Sequence, residues 1–163
     1  MKRDVETALP ALWGTEPSDT KNIDSYTAIG IATSIYAAHW QYESWQVQLW
    51  LKRVTPFFEH QQVHLFLTQD HAPYGLATWL LANNSLHQRL LSNANWQTLE
   101  PLLTGDTWSS QNIEKSHLWL IDFVTPFSHA LDATNALQDQ FPQHPCAWAL
   151  NQNPDQHLAR QVW

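Results

Sequence analysis

Cysteine is almost missing from this sequence. Cys146 stands alone, so no internal disulfide framework can form, and a reducing compartment suits the chain. The run Pro145-Cys146-Ala147-Trp148 reads as the start of an apolar strand, where a free thiol is usually inert packing; a nucleophilic role is the alternative. Basic residues are scarce as well: eight Lys and Arg face fifteen Asp and Glu, for a formal net charge of −7. Nucleic-acid binding needs a dense basic footprint to neutralise phosphates, and that class is excluded. Only Gly14, Gly30, Gly75 and Gly105 are glycine, too dispersed to form a loop whose backbone N–H groups cradle a phosphate. No apolar run is long enough to cross a bilayer, and Met1-Lys2-Arg3-Asp4 carries both signs of charge, unlike a secretory signal. The expectation is a cytoplasmic protein without stable membrane insertion, and no metal ligand set is expected.

What is abundant is apolar and aromatic. Hydrophobic residues make up 44% of the chain, ten of them Trp, enough to bury a real core without staples. No repeat or low-complexity tract appears. Residues 1–22, rich in Pro, Thr, Glu and Asp, read as a flexible extension, with residues 23–163 as a single domain.

Asp24 and Ser25 are good caps for a helix running to about His39, with Ala28, Ile31, Ala32 and Ile35 on shared faces. A second helix spans about 43–55, with Trp45, Leu49 and the Lys52 stem on one stripe, and Pro56 is expected to end it. Residues 62–68 alternate with the period of a strand, 70–75 supply a turn, and 74–82 pair back as a hairpin. A short helix over 86–91 and a polar segment lead to the strongest strand pattern, His117-Leu118-Trp119-Leu120-Ile121-Asp122-Phe123-Val124. Six of these eight are apolar, as in a central strand. A helix over 129–140, capped by Ser128 and ended by Phe141-Pro142, precedes a last strand at 146–150. The order implies an α/β fold, an α+β sandwich with a central sheet flanked by helices.

Asp122 is the anomaly in that strand, because a buried carboxylate is costly unless paired. It either faces solvent or caps the following turn, or is buried to hold a histidine or lysine. Among the histidines, His60, His64 and His71 fall in and beside the first hairpin strand, where an outward polar face explains them. His117, His129, His144 and His157 lie at element ends or in polar loops. His39 ends an apolar helix beside Trp40 and Tyr42, and serves either as a favourable partner of the helix dipole or as a catalyst.

Several runs carry a family resemblance. Trp119-Leu120-Ile121-Asp122-Phe123-Val124-Thr125-Pro126-Phe127 resembles the W-x-I-D-x-x-x-P-F signature of the RTX toxin-activating lysine acyltransferases. Trp108-Ser109-Ser110 is similar to the Asp-Trp-x-Ser segment that precedes it. Pro73-Tyr74-Gly75-Leu76-Ala77-Thr78-Trp79 matches the family hairpin, Ala38-His39-Trp40-Gln41-Tyr42 its L-H-x-x-W motif, Pro56 a later proline, and Leu137 to Pro142 a helix ending in F-P. These pieces occur in family order over residues 26–150. The sequence departs from the pattern at Tyr36, where the family has Ser, and in an insertion before Trp119.

The resemblance implies a GNAT-like fold with a mostly antiparallel sheet, and transfer of a fatty acyl chain from acyl carrier protein to internal lysines of an RTX-type protoxin. His39 and Asp122 fall on its two catalytic positions: His39 as the base that deprotonates the lysine, or as a nucleophile, and Asp122 as the carboxylate that orients it. No cofactor is then tightly bound; the donor is a phosphopantetheine thioester on acyl carrier protein, which suits a chain without a glycine-rich loop for coenzyme A. Trp40, Tyr42 and Trp79 are candidates for an acyl groove, with ordinary core packing as the alternative. Lys52, Arg53, Arg89 and Lys115 are the candidates for docking the acidic carrier protein, or else solvated surface charges. A homodimer is allowed for. The competing functions are a GNAT-like transferase acting on another protein or a small amine with acyl-CoA or acyl carrier protein, and a non-catalytic binding protein that keeps the fold.

Overall fold

The structure is a computed structural model that describes residues 25–40, 42, 44–70, 72–103, 116–127, 129–150 and 159–163. The expected extension over 1–22, the cap at Asp24, and Trp108, Lys115, Ser128, His71 and His157 lie outside the described residues. Five helices and five strands appear among them: α1 Ser25–Ala37, α2 Val47–Glu59, β1 Val63–Leu67, β2 Pro73–Ala82, α3 Asn84–Ser92, α4 Trp96–Leu99, β3 His117–Val124, α5 Ala130–Gln140, β4 Ala147–Ala149 and β5 Arg160–Gln161. The strands form one mostly antiparallel sheet in the order β1-β2-β3-β4-β5. This is the mixed α and β architecture expected from the sequence. Two compact units divide the chain, one of residues 1–78 and 123–140, the other of 79–122 and 141–163.

In the first unit, α1 buries Ala28, Ala32 and Ile35, a stripe at helical spacing, and adds Tyr36. These residues share a core with Trp50 and Val54 of α2, Leu65 of β1, Leu76 of β2 and Val124 of β3. Each Val, Leu or Ile among them, fully removed from water, contributes about 1.5–3 kcal/mol.

Helix α2 differs from the sequence expectation in two ways. It begins at Val47 rather than near 43, and it runs through Pro56 to Glu59. Proline disfavours helix at the preceding residue, but Phe57 is completely buried in the turn that follows. His60 donates to the Pro56 carbonyl at 3.0 Å and Gln62 to that of Phe57 at 2.7 Å, which closes the helix end. The core-facing stripe of the helix is Trp50, Val54 and Phe57, not Leu49 and Lys52, whereas Trp45, before the helix, does pack against this core. Leu49 is exposed, and the apolar face is rotated by one residue from the expected one.

β1 and β2 pair antiparallel, with Leu65 opposite Leu76 and Phe66 opposite Gly75, and the register shifts between Phe66 and Leu67. Gly75 is needed at this point. A Cβ there would lie 2.8 Å from the Val124 carbonyl oxygen and 2.9 Å from Thr125 Cγ2. The register shift leaves Tyr74 without a partner in the ladder, and its ring stacks on Phe66 and meets His129 at 5.0 Å. Re-aiming a side chain in this way is what a bulge does.

In the second unit, α3 is capped by Asn83, whose side chain accepts from Leu86 N at 2.9 Å. α4, not expected from sequence, is capped the same way, with the Asn95 side chain accepting from Thr98 N at 2.8 Å. β3 and β4 run parallel with Trp119 opposite Trp148, and β5 closes the edge antiparallel, Trp148 opposite Gln161. Leu86, Leu90, Leu99, Leu118 and Leu120 fill this unit's core. Cys146, just before β4, is a half-buried free thiol.

Candidate active site

Asp122 resolves the first open question. Five consecutive residues of β3, Leu118 to Asp122, are buried, and Asp122 is only 1% exposed. The solvent-facing alternative is excluded. Strand alternation puts its carboxylate on the face of β3 that also presents Leu118, Leu120 and Val124. Asp122 lies two residues past Leu120, the last β3 residue in register with β4. A carboxylate kept in an apolar strand at this depth needs compensating interactions, and a carboxylate so placed is a functional-site signal.

His39 follows α1 in a sequence of tight turns. Its amide donates to the Tyr36 carbonyl at 3.1 Å, Tyr42 N donates to the His39 carbonyl at 2.9 Å, and Trp45 N to that of Tyr42 at 2.9 Å. These turns gather an aromatic cluster under the histidine. Tyr42 is edge-on to both Tyr36 and Trp45 at 4.8 Å, and Tyr36 meets Trp50 at 6.0 Å. The His39 ring is half-buried, tilted against Tyr42 at 5.5 Å and roughly parallel to Trp40 at 6.0 Å. Trp40 itself is 74% exposed. His39 is thus held from below by buried rings and bordered by an exposed indole.

The three groove candidates have different surroundings. Trp40 is a surface residue, Tyr42 is part of the buried aromatic cluster, and Trp79 is buried in the second unit against Phe141 at 5.2 Å. The docking candidates also differ. Lys52 and Arg89 are exposed, whereas Arg53 lies with its guanidinium 4.4 Å over the Trp45 ring. That contact ties Arg53 to the aromatic cluster through a cation–π interaction. Among the described residues no group of three or more His, Cys, Asp or Glu could hold a metal ion, and no described helix is long and apolar enough to cross a membrane.

The histidines hold the main corrections to the sequence expectations. His64 does not face outward: it is buried, its Nδ1 makes no hydrogen bond among the described residues, and burial lowers its pKa to about 4. Both faces of β1 are covered, so alternation there does not mark a solvated side. His144 is likewise buried, and burial followed by the charge of His117 lowers its pKa. His87 escapes sequence reasoning altogether. It is buried on α3 and accepts a hydrogen bond on Nδ1 from the Trp119 indole at 3.1 Å. The signal that could reveal it is its place on the Leu86–Leu90 face of a short amphipathic helix.

With this geometry in place, comparison with known proteins decides the family. The RTX toxin acyltransferase family model matches residues 21–162. The chain belongs to that family. The match covers both His39 and Asp122 and agrees with the resemblance carried by the strand signature. Two curated relatives are similar at lower identity. The RTX-III toxin-activating lysine-acyltransferase ApxIIC of Actinobacillus pleuropneumoniae is 24% identical over 128 residues, covering 76% of this chain and 66% of the relative. The RTX-II toxin-activating lysine-acyltransferase ApxIIC of the same organism is 22% identical over 119 residues, covering 73% of this chain and 68% of the relative. The chain thus spans just under two thirds of the length of the first of them.

Proposed function

We propose that the protein is a toxin-activating acyltransferase, which moves a fatty acyl chain from the thioester of acyl carrier protein to internal lysines of an RTX-type protoxin. The observation that carries the reading is Asp122, a carboxylate buried in an apolar strand inside the region that the family model matches. The two ApxIIC relatives are lysine-acyltransferases by name, which supports the lysine acceptor.

In this reading His39 is the general base. A lysine ammonium, which ordinarily titrates near pH ~10.4, must lose a proton before its nitrogen can attack. His39 takes that proton, the amine adds to the thioester carbonyl, and the carbon–sulfur bond breaks. The thiolate of phosphopantetheine leaves and takes the second proton of the attacking nitrogen, so an ammonium and a thioester become an amide and a thiol, and His39 releases the first proton to solvent. Asp122 is the second catalytic residue that the family resemblance implies, a carboxylate of the kind that fixes a histidine tautomer and stabilises an imidazolium. The exposed Trp40 beside His39 supplies an apolar surface for the acyl chain. The dispersed glycines support a carrier-protein donor, since coenzyme A would call for a phosphate-cradling loop. Lys52, Arg53, Arg89 and Lys115 are the proposed contacts for the acidic carrier.

Co-expression with an RTX protoxin, followed by intact-mass measurement of the protoxin, tests the reading. The expected result is a mass increase of one or more fatty acyl groups, each mapping to a lysine. A protoxin of unmodified mass, or acylation at serine or cysteine alone, would refute it.

A further inference from the structure

The second unit contains a histidine arrangement that the proposed chemistry does not use. The imidazoles of His87 on α3 and His117 on β3 stack almost parallel, with centroids 3.6 Å apart and planes 7° apart. His117 Nε2 lies 2.8 Å from Asn84 Oδ1, so the amide oxygen accepts from the ring N–H. His87 Nδ1 accepts from the fully buried Trp119 indole N–H at 3.1 Å. That acceptor role fixes His87 as the neutral ring with its proton on Nε2. Trp148 of β4 closes the group, 5.6 Å from His87 and 6.1 Å from Trp119.

We propose that His87 is a proton-gated positioning residue, which holds Trp119 and hence β3 in place only while its imidazole is neutral. A proton added at Nδ1 points an N–H at the indole N–H, so the acceptor that His87 gives Trp119 becomes a donor. Trp119 is three residues before Asp122 on the same strand, and the strand that carries the carboxylate then loses an internal anchor.

The electrostatic surroundings resist that proton. Among the described residues, the titratable group facing His87 is His117 of β3; Trp148 on the β4 side carries no charge, and the charge of His117 also acts on His144, before β4. Burial first, and then the charge of His117, lower the His87 pKa below its usual value. Two stacked imidazoles cannot both be charged without repulsion. The bond to Trp119 is therefore secure near neutrality and is lost on acidification.

The consequence for catalysis rests on the proposed role of Asp122, whereas the bond itself does not. The test is an NMR titration of the full chain, following the Trp119 indole N–H signal, assigned by its disappearance in Trp119→Phe. The expected result is a signal sheltered from solvent exchange near neutral pH that loses its shelter in one step below pH ~6.5, the ordinary histidine value. In His87→Gln, whose side-chain oxygen still accepts but does not titrate, the step should vanish. In His117→Asn, which removes the like-charged neighbour, it should move to higher pH. A step that persists in His87→Gln, or none in the parent on acidification to the limit of folding, overturns the proposal. If His87→Gln fails to fold, the His117→Asn titration decides, and an unmoved step there is also contrary. Acyl transfer measured over the same range gives the second arm, with the acid limb of the rate less steep in His87→Gln than in the parent. A signal that titrates while the rate limb stays unchanged refutes the link to Asp122 and leaves the His87–Trp119 bond standing.

Discussion

Among the described residues, two titratable side chains, Asp122 and His64, are buried in largely apolar strands, and they differ in how they can be read. Asp122 is visible in the sequence because a carboxylate in a strand with six apolar residues is conspicuous. His64 is not, because the alternation of Val63-His64-Leu65-Phe66 also describes a half-solvated strand, and the covering of both faces is a tertiary fact. The burial of His64 has a pH consequence. A histidine with a lowered folded pKa favours the folded state fully above the unfolded value of about 6.5, and that contribution is lost as pH falls toward about 4. A shift of this size corresponds to roughly 3 kcal/mol. Replacing His64 with Leu should therefore move the midpoint of acid unfolding to lower pH by circular dichroism, with little change in mild alkali. An unmoved acid midpoint would mean that His64 is not charged on unfolding.

At the scale of elements, what is legible is mostly what local chemistry dictates. Helix α1 follows from Ala28, Ala32 and Ile35, β2 and β3 from their apolar runs, and α3 from its apolar face. The limits of α2 are not legible in this way. Pro56 reads locally as a stop, whereas the burial of Phe57 and the hydrogen bonds of His60 and Gln62 carry the chain past it. The element-level devices have measurable weights. Asn83→Ala removes the α3 cap bond to Leu86 N and should cost about 1 kcal/mol in chemical denaturation. Gly75→Ala forces a methyl to within 2.8 Å of the Val124 carbonyl oxygen and 2.9 Å of Thr125 Cγ2. The expected loss is about 1–3 kcal/mol, the usual cost of overpacking, and a neutral Gly75→Ala would show that β3 yields at this point.

At the scale of the whole molecule, a net charge of −7 and the proposed docking of an acidic carrier protein pull in opposite directions. Lys52 is exposed on α2, while Arg53, next to it, is engaged with Trp45. Lys52→Glu should raise the KM for the acyl carrier thioester several-fold at low salt with kcat nearly unchanged, and the difference should shrink as salt screens the surface. A KM that does not respond to the substitution would place the docking face elsewhere. The candidate site is legible in the sequence to an uneven degree. Asp122 stands out on physical grounds, whereas His39 is one of nine histidines and is picked out by the order of motifs around it. The aromatic cluster beneath it is hidden, because Tyr36, Tyr42, Trp45 and Trp50 converge only through the turns after α1.

The most direct test of the catalytic reading is single-turnover acyl transfer from acyl carrier protein to an RTX protoxin by the parent, His39→Ala and Asp122→Asn enzymes, read by intact mass. The expected result is a rate reduced at least about 100-fold in His39→Ala, the usual contribution of a positioned general base, and a smaller loss in Asp122→Asn, with both variants folded by circular dichroism. Transfer at the parental rate by His39→Ala would contradict it.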